Sequence, residues 1–166
     1  MLGETTGLNP VYNRIIELGC IEFKDLEPIK RFDTLVNANQ NIPHHVSMIN
    51  NITNEMLIDA PSEDEVYYYF CLFIKDVLEG RALIVAHNAS FDMNFLANTL
   101  ERLGFSGNLY YIDTLDLSRT YLKLPNNKQT TIAEYFNIPI GNAHRAGDDA
   151  LVCGKILTNI INLFKK

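Results

Sequence analysis

No run in the 166-residue sequence approaches the roughly 18 consecutive apolar residues that a membrane-spanning helix needs. The amino terminus lacks the basic-then-apolar pattern of a secretory signal. Together these absences argue against a membrane partner and predict a cytoplasmic protein. Cysteine is scarce: Cys20, Cys71 and Cys153 are odd in number, far apart and set among apolar neighbours, so no CxxC metal or redox motif exists. They read as core residues of a reducing compartment. Positive charge is also short. Lys and Arg number 14 against 20 Asp and Glu, a net charge of -6, which gives no electrostatic footprint for nucleic acid. Any polyanionic substrate would need local help, for which divalent metal ions are the obvious candidate. Repeats, low-complexity tracts and Pro/Ser-rich linkers are missing as well, so residues 1–166 read as one domain, with a 47% apolar fraction ordinary for a globular protein.

What is present alternates strands with helices. After the turn at Asn9-Pro10, RIIELGCIEF (14–23) and RFDTLVN (31–37) predict a hairpin, with KDLEP as the break between them. PSEDEVYYYFCLFIKDVLEG carries Ser62 and Glu65 as a capping box and Gly80 as a stop, predicting a helix of about four turns. ALIVA (82–86) is a wholly apolar run typical of a strand buried on both faces. A helix over 90–103, a strand at 109–113, helices near 114–123 and 130–136 and a last helix over 147–164 complete the pattern. Such an order predicts an α/β fold, a mixed sheet flanked by helices.

Two acids stand where hydrophobes belong. Asp149 shares a helical stripe with Val152, Cys153, Ile156, Ile160 and Phe164. Asp92 shares another with Phe95, Leu96, Leu100 and Leu103. A buried ionised carboxylate costs several kcal/mol unless paired or bound to a cation, and no Lys or Arg lies on either stripe. A shared metal is one explanation; for a single helix, an acid meeting the helix dipole at a solvated edge is the other. For Asp148, which points elsewhere, the dipole reading is preferred. His144 lies in the loop GNAHRAG before Asp149, where an imidazole beside a metal-bound water could serve as general base. His87 follows the buried strand in AHNASFD, and His44 and His45 read as surface loop.

Three segments together, ETTGL with RIIELG downstream, HNASFDMNFL (87–96) and HRAGDDA (144–150), resemble the motifs of the DEDDh 3'–5' exonucleases. That family contains the proofreading epsilon subunit and the exonuclease domain of PolC-type bacterial DNA polymerase III. The resemblance covers nearly the whole chain, including PHHVSMINNITNEML and YIDTLDLSR. It implies a ribonuclease H-like fold, a mixed five-stranded sheet with helices on both faces. It also implies hydrolysis of a terminal phosphodiester by two divalent metals, Mg2+ or Mn2+, about 4 Å apart. Carried over by position, Glu4, Asp92 and Asp149 would be metal ligands and His144 the base. Thr5, Thr6, Gly7 and Leu8 would cradle the terminal nucleotide, with Leu8 touching a base, and His87, Asn88 and Phe91 would shape the second motif, Phe91 by packing. The implied partners are single-stranded or frayed DNA 3' ends and a DNA polymerase subunit.

The sequence departs from the pattern at its start. The first motif is Asp-x-Glu, which puts aspartate at position 2, where Leu2 stands, and the apolar first strand expected before it is truncated. This leaves the second metal, and the activity itself, open. Three explanations are compatible with the residues: a truncated or mis-started exonuclease, an exonuclease-like module that binds nucleic acid or a polymerase without cutting, or another acid such as Glu17 or Glu22 standing in. A missing interior strand would leave neighbouring edges unpaired, to be filled by another segment or by a second copy in a dimer. An RNA-trimming enzyme of the same superfamily is not separable from a DNA enzyme by sequence. An acidic α/β domain with no nucleic-acid role is a further alternative.

Overall fold

The computed structural model describes residues 2–141 and 145–165. His144, the expected general base, lies outside the described residues. Strand β1 (Leu2–Thr5) pairs antiparallel with β2 (Ile15–Lys24), which pairs antiparallel with β3 (Glu27–Leu35). The first six residues of β2 are buried, and the ladder register sets Glu4 opposite Glu17 and Leu2 opposite Gly19.

The hairpin is tighter than the sequence predicts. β3 begins at Glu27, so the loop is only Asp25-Leu26, both at positive φ (53° and 69°), as a two-residue turn matched to strand twist requires. Pro28, read as part of a break, sits instead in the exposed strand β3 opposite Phe23, beside an irregularity at Glu22/Phe23. An edge strand at a bulge is where a residue without an N–H is tolerated.

Two short helices follow, α1 (His44–Asn50) and α2 (Asn54–Ile58). His44 and His45 are therefore exposed residues of a first helical turn, not loop. The long helix expected after Pro61 is divided. Ser62 caps α3 (Glu63–Phe73) by accepting from the Glu65 N–H, but the run breaks at Ile74 before the single turn α4 (Lys75–Leu78). Then come β4 (Ile84–Ala86), α5 (Ala89–Arg102), β5 (Tyr111–Asp113), α6 (Thr114–Tyr121), α7 (Gln129–Tyr135) and α8 (Ala146–Leu163).

β4 and β5 form a parallel pair, separate from the three-stranded sheet. The described part of β1 reaches only as far as Gly19, whereas β2 continues to Lys24. A groove of about 940 Å³ opens between the two sheets, lined by Cys20, Phe23, Phe73, Ile84, Ala150 and Leu157 among others.

Helices cover both faces. One core cluster joins Leu18 and Cys20 of β2 to Tyr67 and Phe70 of α3 and to Phe95, Leu96 and Leu100 of α5. A second joins Ile132 and Ala133 of α7 to Val152, Ile156 and Ile160 of α8, the stripe that also carries Asp149, and a third joins Ile16 of β2 to Ile42, Ile52 and Leu57. Of the cysteines, Cys20 and Cys153 are buried, Cys71 is half-buried, and all three are free thiols. No helix among the described residues is long and apolar enough to cross a membrane.

Candidate active site

Each acid is delivered by the end of an element. Glu4 lies on β1, Asp92 in the first turn of α5 and Asp149 in the first turn of α8. Helix α8 packs against β1, which bears Glu4, and against β4, which leads into α5 and Asp92.

Asp92 is only 5% exposed. Burial pushes its carboxyl up to about 7, against the pull of the Gly3 main-chain N–H that hydrogen-bonds it. Glu4 also rises to about 7, first by burial and then by the negative charges of Glu17, Asp149 and Asp92. The three predicted ligands are thus within electrostatic reach of one another around Glu4. No three His, Cys, Asp or Glu side chains among the described residues stand close enough to hold one ion as placed.

The donor chemistry nonetheless fits a hard divalent cation. Carboxylate oxygens are the ligands such ions take. The shifts of Glu4 and Asp92 say that their ionised forms are destabilised by burial and, at Glu4, also by neighbouring negative charges, which a bound cation offsets. Glu4, Asp92 and Asp149 are the residues that would hold it.

Glu17 is not a substitute ligand. It is fully buried, and its Oε1 accepts from Arg145 Nε at 2.8 Å while its Oε2 accepts from the Ala146 N–H at 3.2 Å. Glu22 is remote from that role too, its Oε2 pairing with Lys30 Nζ at 2.9 Å on the half-exposed end of the hairpin. Asp148 accepts from Arg31 Nη1 at 2.9 Å, so it has an ionic partner beyond the helix dipole.

The loop after β1 is braced from inside. Thr5 Oγ1 donates to the Gly7 carbonyl at 2.6 Å. Thr6, 1% exposed, donates its N–H to the Arg14 carbonyl at 2.9 Å, accepts the Arg14 N–H on its hydroxyl at 3.0 Å and hydrogen-bonds Gln40. A Cβ at Gly7 would lie 2.7 Å from the end of the Asn13 side chain, which would have to shift to admit it. Leu8 is 84% exposed, and Val11 and Tyr12 project nearby in sequence from the same loop.

Residues of the second motif are mostly committed to the protein. His87 Nε2 donates to the Asn127 carbonyl at 2.9 Å, which leaves Nδ1 as acceptor 3.0 Å from Thr114 Oγ1. Burial lowers its pKa, consistent with a neutral ring. Asn88 is left-handed (φ 61°) at the N-cap of α5, and Phe91 packs on Phe95 with ring centroids 4.9 Å apart.

Two positioning groups escaped the sequence reading. The Asp113 carboxylate accepts from the N–H groups of Asn88 (3.0 Å), Ala89 (2.8 Å) and Leu115 (2.9 Å), anchoring the starts of α5 and α6 together. Its place at the end of a short strand, before a helix, was the available cap signal. Gln129 Nε2 donates to the Asp149 carbonyl at 3.0 Å, tying α7 to the turn that bears the acid. No local pattern marks that contact.

Comparison with known proteins identifies the family. The chain is 35% identical over 159 residues to the PolC-type DNA polymerase III of Caldanaerobacter subterraneus subsp. tengcongensis, and 37% identical over 160 residues to that of Halalkalibacterium halodurans. Each match covers 95% of this chain and 11% of the relative, so the chain spans about a tenth of those proteins. Among solved structures, exonuclease X in complex with 5' overhanging duplex DNA superposes with a TM-score of 0.74 at 23% identity, covering 99% of this chain and 90% of that one. The zinc-bound E. coli exonuclease I–single-stranded DNA complex superposes at 0.86 with 15% identity, covering 99% and 40%. The fold is that of these nucleases, ribonuclease H-like. Residues 3–157 match the RNase T model of exonucleases, and the chain belongs to that exonuclease family.

Proposed function

We propose that the chain is a metal-dependent 3'–5' exonuclease that removes terminal nucleotides from single-stranded or frayed DNA, in proofreading or repair beside a DNA polymerase. The observation that carries this reading is the electrostatic coupling of Glu4 with Asp92 and Asp149, two of them raised to about 7, at the meeting of β1, α5 and α8. Bound Mg2+ or Mn2+ would supply charge stabilisation at phosphorus and a more acidic water.

The protein's own groups do the rest. Glu4, Asp92 and Asp149 hold the cation. The Thr5–Leu8 segment receives the terminal nucleotide, with Leu8 offering an apolar surface to its base. His144, in the residue before Arg145, takes the proton from water. His87, Asn88 and Phe91 support the second motif, and Asp113 fixes the turn on which Asp92 stands.

A 3'-labelled single strand incubated with Mn2+ or Mg2+ tests this. Mononucleotide release that disappears in Asp149→Ala and Asp92→Ala supports it; activity surviving Asp149→Ala removes Asp149 as a ligand. One feature favours a second reading, a module that binds nucleic acid or a polymerase without cutting: Leu2 occupies the position of the first-motif aspartate. Single-strand binding with no release, even in Leu2→Asp, would select that reading.

A further inference from the structure

We propose that Glu17 is a positioning residue. With Gly19 it forms the seat that sets the first turn of α8, and hence Asp149, against Glu4 and Asp92. The proposal rests on the metal-dependent reading above, in which Glu17 has no ligand role.

α8 begins without a side-chain cap of its own at Arg145, so its first N–H groups need partners from elsewhere. Glu17 supplies one across the fold. Its Oε2 accepts from Ala146 N at 3.2 Å, and its Oε1 holds the Arg145 guanidinium at 2.8 Å. A carboxylate at a helix N-terminus also meets the positive end of the helix dipole.

Two residues along β2, on the same face by strand alternation, Gly19 lets the helix touch the sheet. A Cβ there would lie 2.2 Å from the Ala146 carbonyl carbon and 2.3 Å from the Gly147 nitrogen. On β3, Arg31 holds Asp148 at 2.9 Å. The three contacts meet residues 145–148, immediately before Asp149 and immediately after His144 in sequence.

The nature of the pair matters. A buried ion pair adds little net stability over well-packed apolar groups, but it permits one geometry. Glu17 is wholly buried with both oxygens engaged, whereas the Arg145 side chain is 50% exposed. The carboxylate is thus the fixed member, and the start of α8 is registered to it.

The test compares the full chain with Glu17→Gln, Arg145→Gln and the double variant. Hydrogen exchange is followed at amides 146–149 of the metal-free protein, Mn2+ binding by calorimetry, and nucleotide release from a 3'-labelled single strand. For Glu17→Gln, exchange at those amides should quicken while Phe95–Leu100 amides hold. The Mn2+ dissociation constant should rise about 10-fold, and kcat should fall about 10- to 100-fold with KM little changed, the range typical of groups that orient metal ligands. Arg145→Gln should show the same changes to a smaller degree, because the Ala146 bond remains. The double variant should be no worse than Glu17→Gln.

A Glu17→Gln protein with a lower melting temperature but unaltered Mn2+ affinity and kcat would overturn the proposal. Should Glu17→Gln fail to fold, Arg145→Gln decides it, and wild-type behaviour in all three measurements overturns it. If the parent chain binds Mn2+ but neither it nor Leu2→Asp releases nucleotide, the nuclease reading fails, while exchange and Mn2+ affinity still decide the role of Glu17.

Discussion

Glu4 and Glu17 are direct partners in the β1–β2 ladder, and only Glu17 carries an arginine across its carboxylate. Burial, with Glu17 as the largest charge contribution, holds the Glu4 carboxyl near 7. Two like charges at adjacent positions are tolerated because Arg145 compensates one and a proton, or a cation, compensates the other.

The first prediction concerns pH. Glu4 and Asp92 both rise to about 7 from their ordinary values of 4.5 and 3.8. The folded state therefore binds more protons than the unfolded one between about pH 4 and 7, and metal-free stability falls as pH rises through that window. The metal-free melting temperature should be higher at pH 5.5 than at pH 8. Millimolar Mn2+ should raise it at pH 8 and do little at pH 5.5, because the cation replaces the protons. Scanning calorimetry at both pH values with and without Mn2+ checks the sign.

Much of this site was legible in the sequence because its acids break apolar periodicity. Asp92 and Asp149 were found by counting along helices that the structure places within one residue of expectation, at 89–102 and 146–163. The hairpin was less legible, because Pro28 and the KDLEP cluster look like a break. Strand pairing allows both once Asp25 and Leu26 adopt positive φ, with Thr158 of α8 donating to the Leu26 carbonyl at 3.2 Å. Gln129 and Glu17 were not legible as positioning groups, and Asp113 was legible only as a local cap of α6. The remaining partners of these three lie 20 to 129 residues away, and only tertiary packing brings them into contact.

Leu2→Asp should add a donor beside Glu4. Position 2 pairs with Gly19 as position 4 pairs with Glu17, and position 2 is where the first motif of the family has its aspartate. A fourth acid raises the repulsion, so the metal-free melting temperature at pH 8 should drop. Mn2+ affinity and nucleotide release should increase, each by about 10-fold or more, an amount equivalent to about 1.4 kcal/mol. Calorimetric titration and the release assay read the two separately. A fall in both would remove position 2 from the site.

Asp113→Ala should be among the costlier single changes outside the core. It strips acceptors from three main-chain N–H groups at the starts of α5 and α6. Loss of a charged cap shared by two helices is expected to cost about 2–3 kcal/mol. Denaturant unfolding measures it, and Asp113→Asn, which keeps an acceptor oxygen, should recover part of the loss. Since Asp92 lies one turn into α5, Mn2+ affinity should weaken in the same order.

Leu8→Ala probes substrate contact without touching the fold. The side chain is 84% exposed, and the loop is held by Thr5, Thr6 and Asn13 rather than by Leu8. Stability should stay within about 0.5 kcal/mol of the parent. If Leu8 packs on the terminal base, KM for a single strand should rise a few-fold with kcat nearly unchanged, the pattern of a contact made equally in ground and transition states. An unchanged KM would remove Leu8 from the substrate surface.

Asp92→Asn separates stability from function by sign. The carboxylate is 5% exposed and raised to about 7, so at pH 8 its ionisation is forced against burial. Asparagine is nearly isosteric, keeps an oxygen to accept the Gly3 N–H, and carries no charge. The metal-free variant should therefore melt higher than the parent at pH 8 and no higher at pH 5, where the parent is already protonated. Mn2+ should no longer raise its melting temperature appreciably, and nucleotide release should fall by at least about 100-fold. An acid present only for packing would show the reverse, with lower stability at every pH and an undiminished response to the ion. The stability an asparagine recovers at pH 8 is thus what Asp92 gives up to keep a charged ligand beneath α5, the trade expected where a buried group serves a reaction rather than the fold.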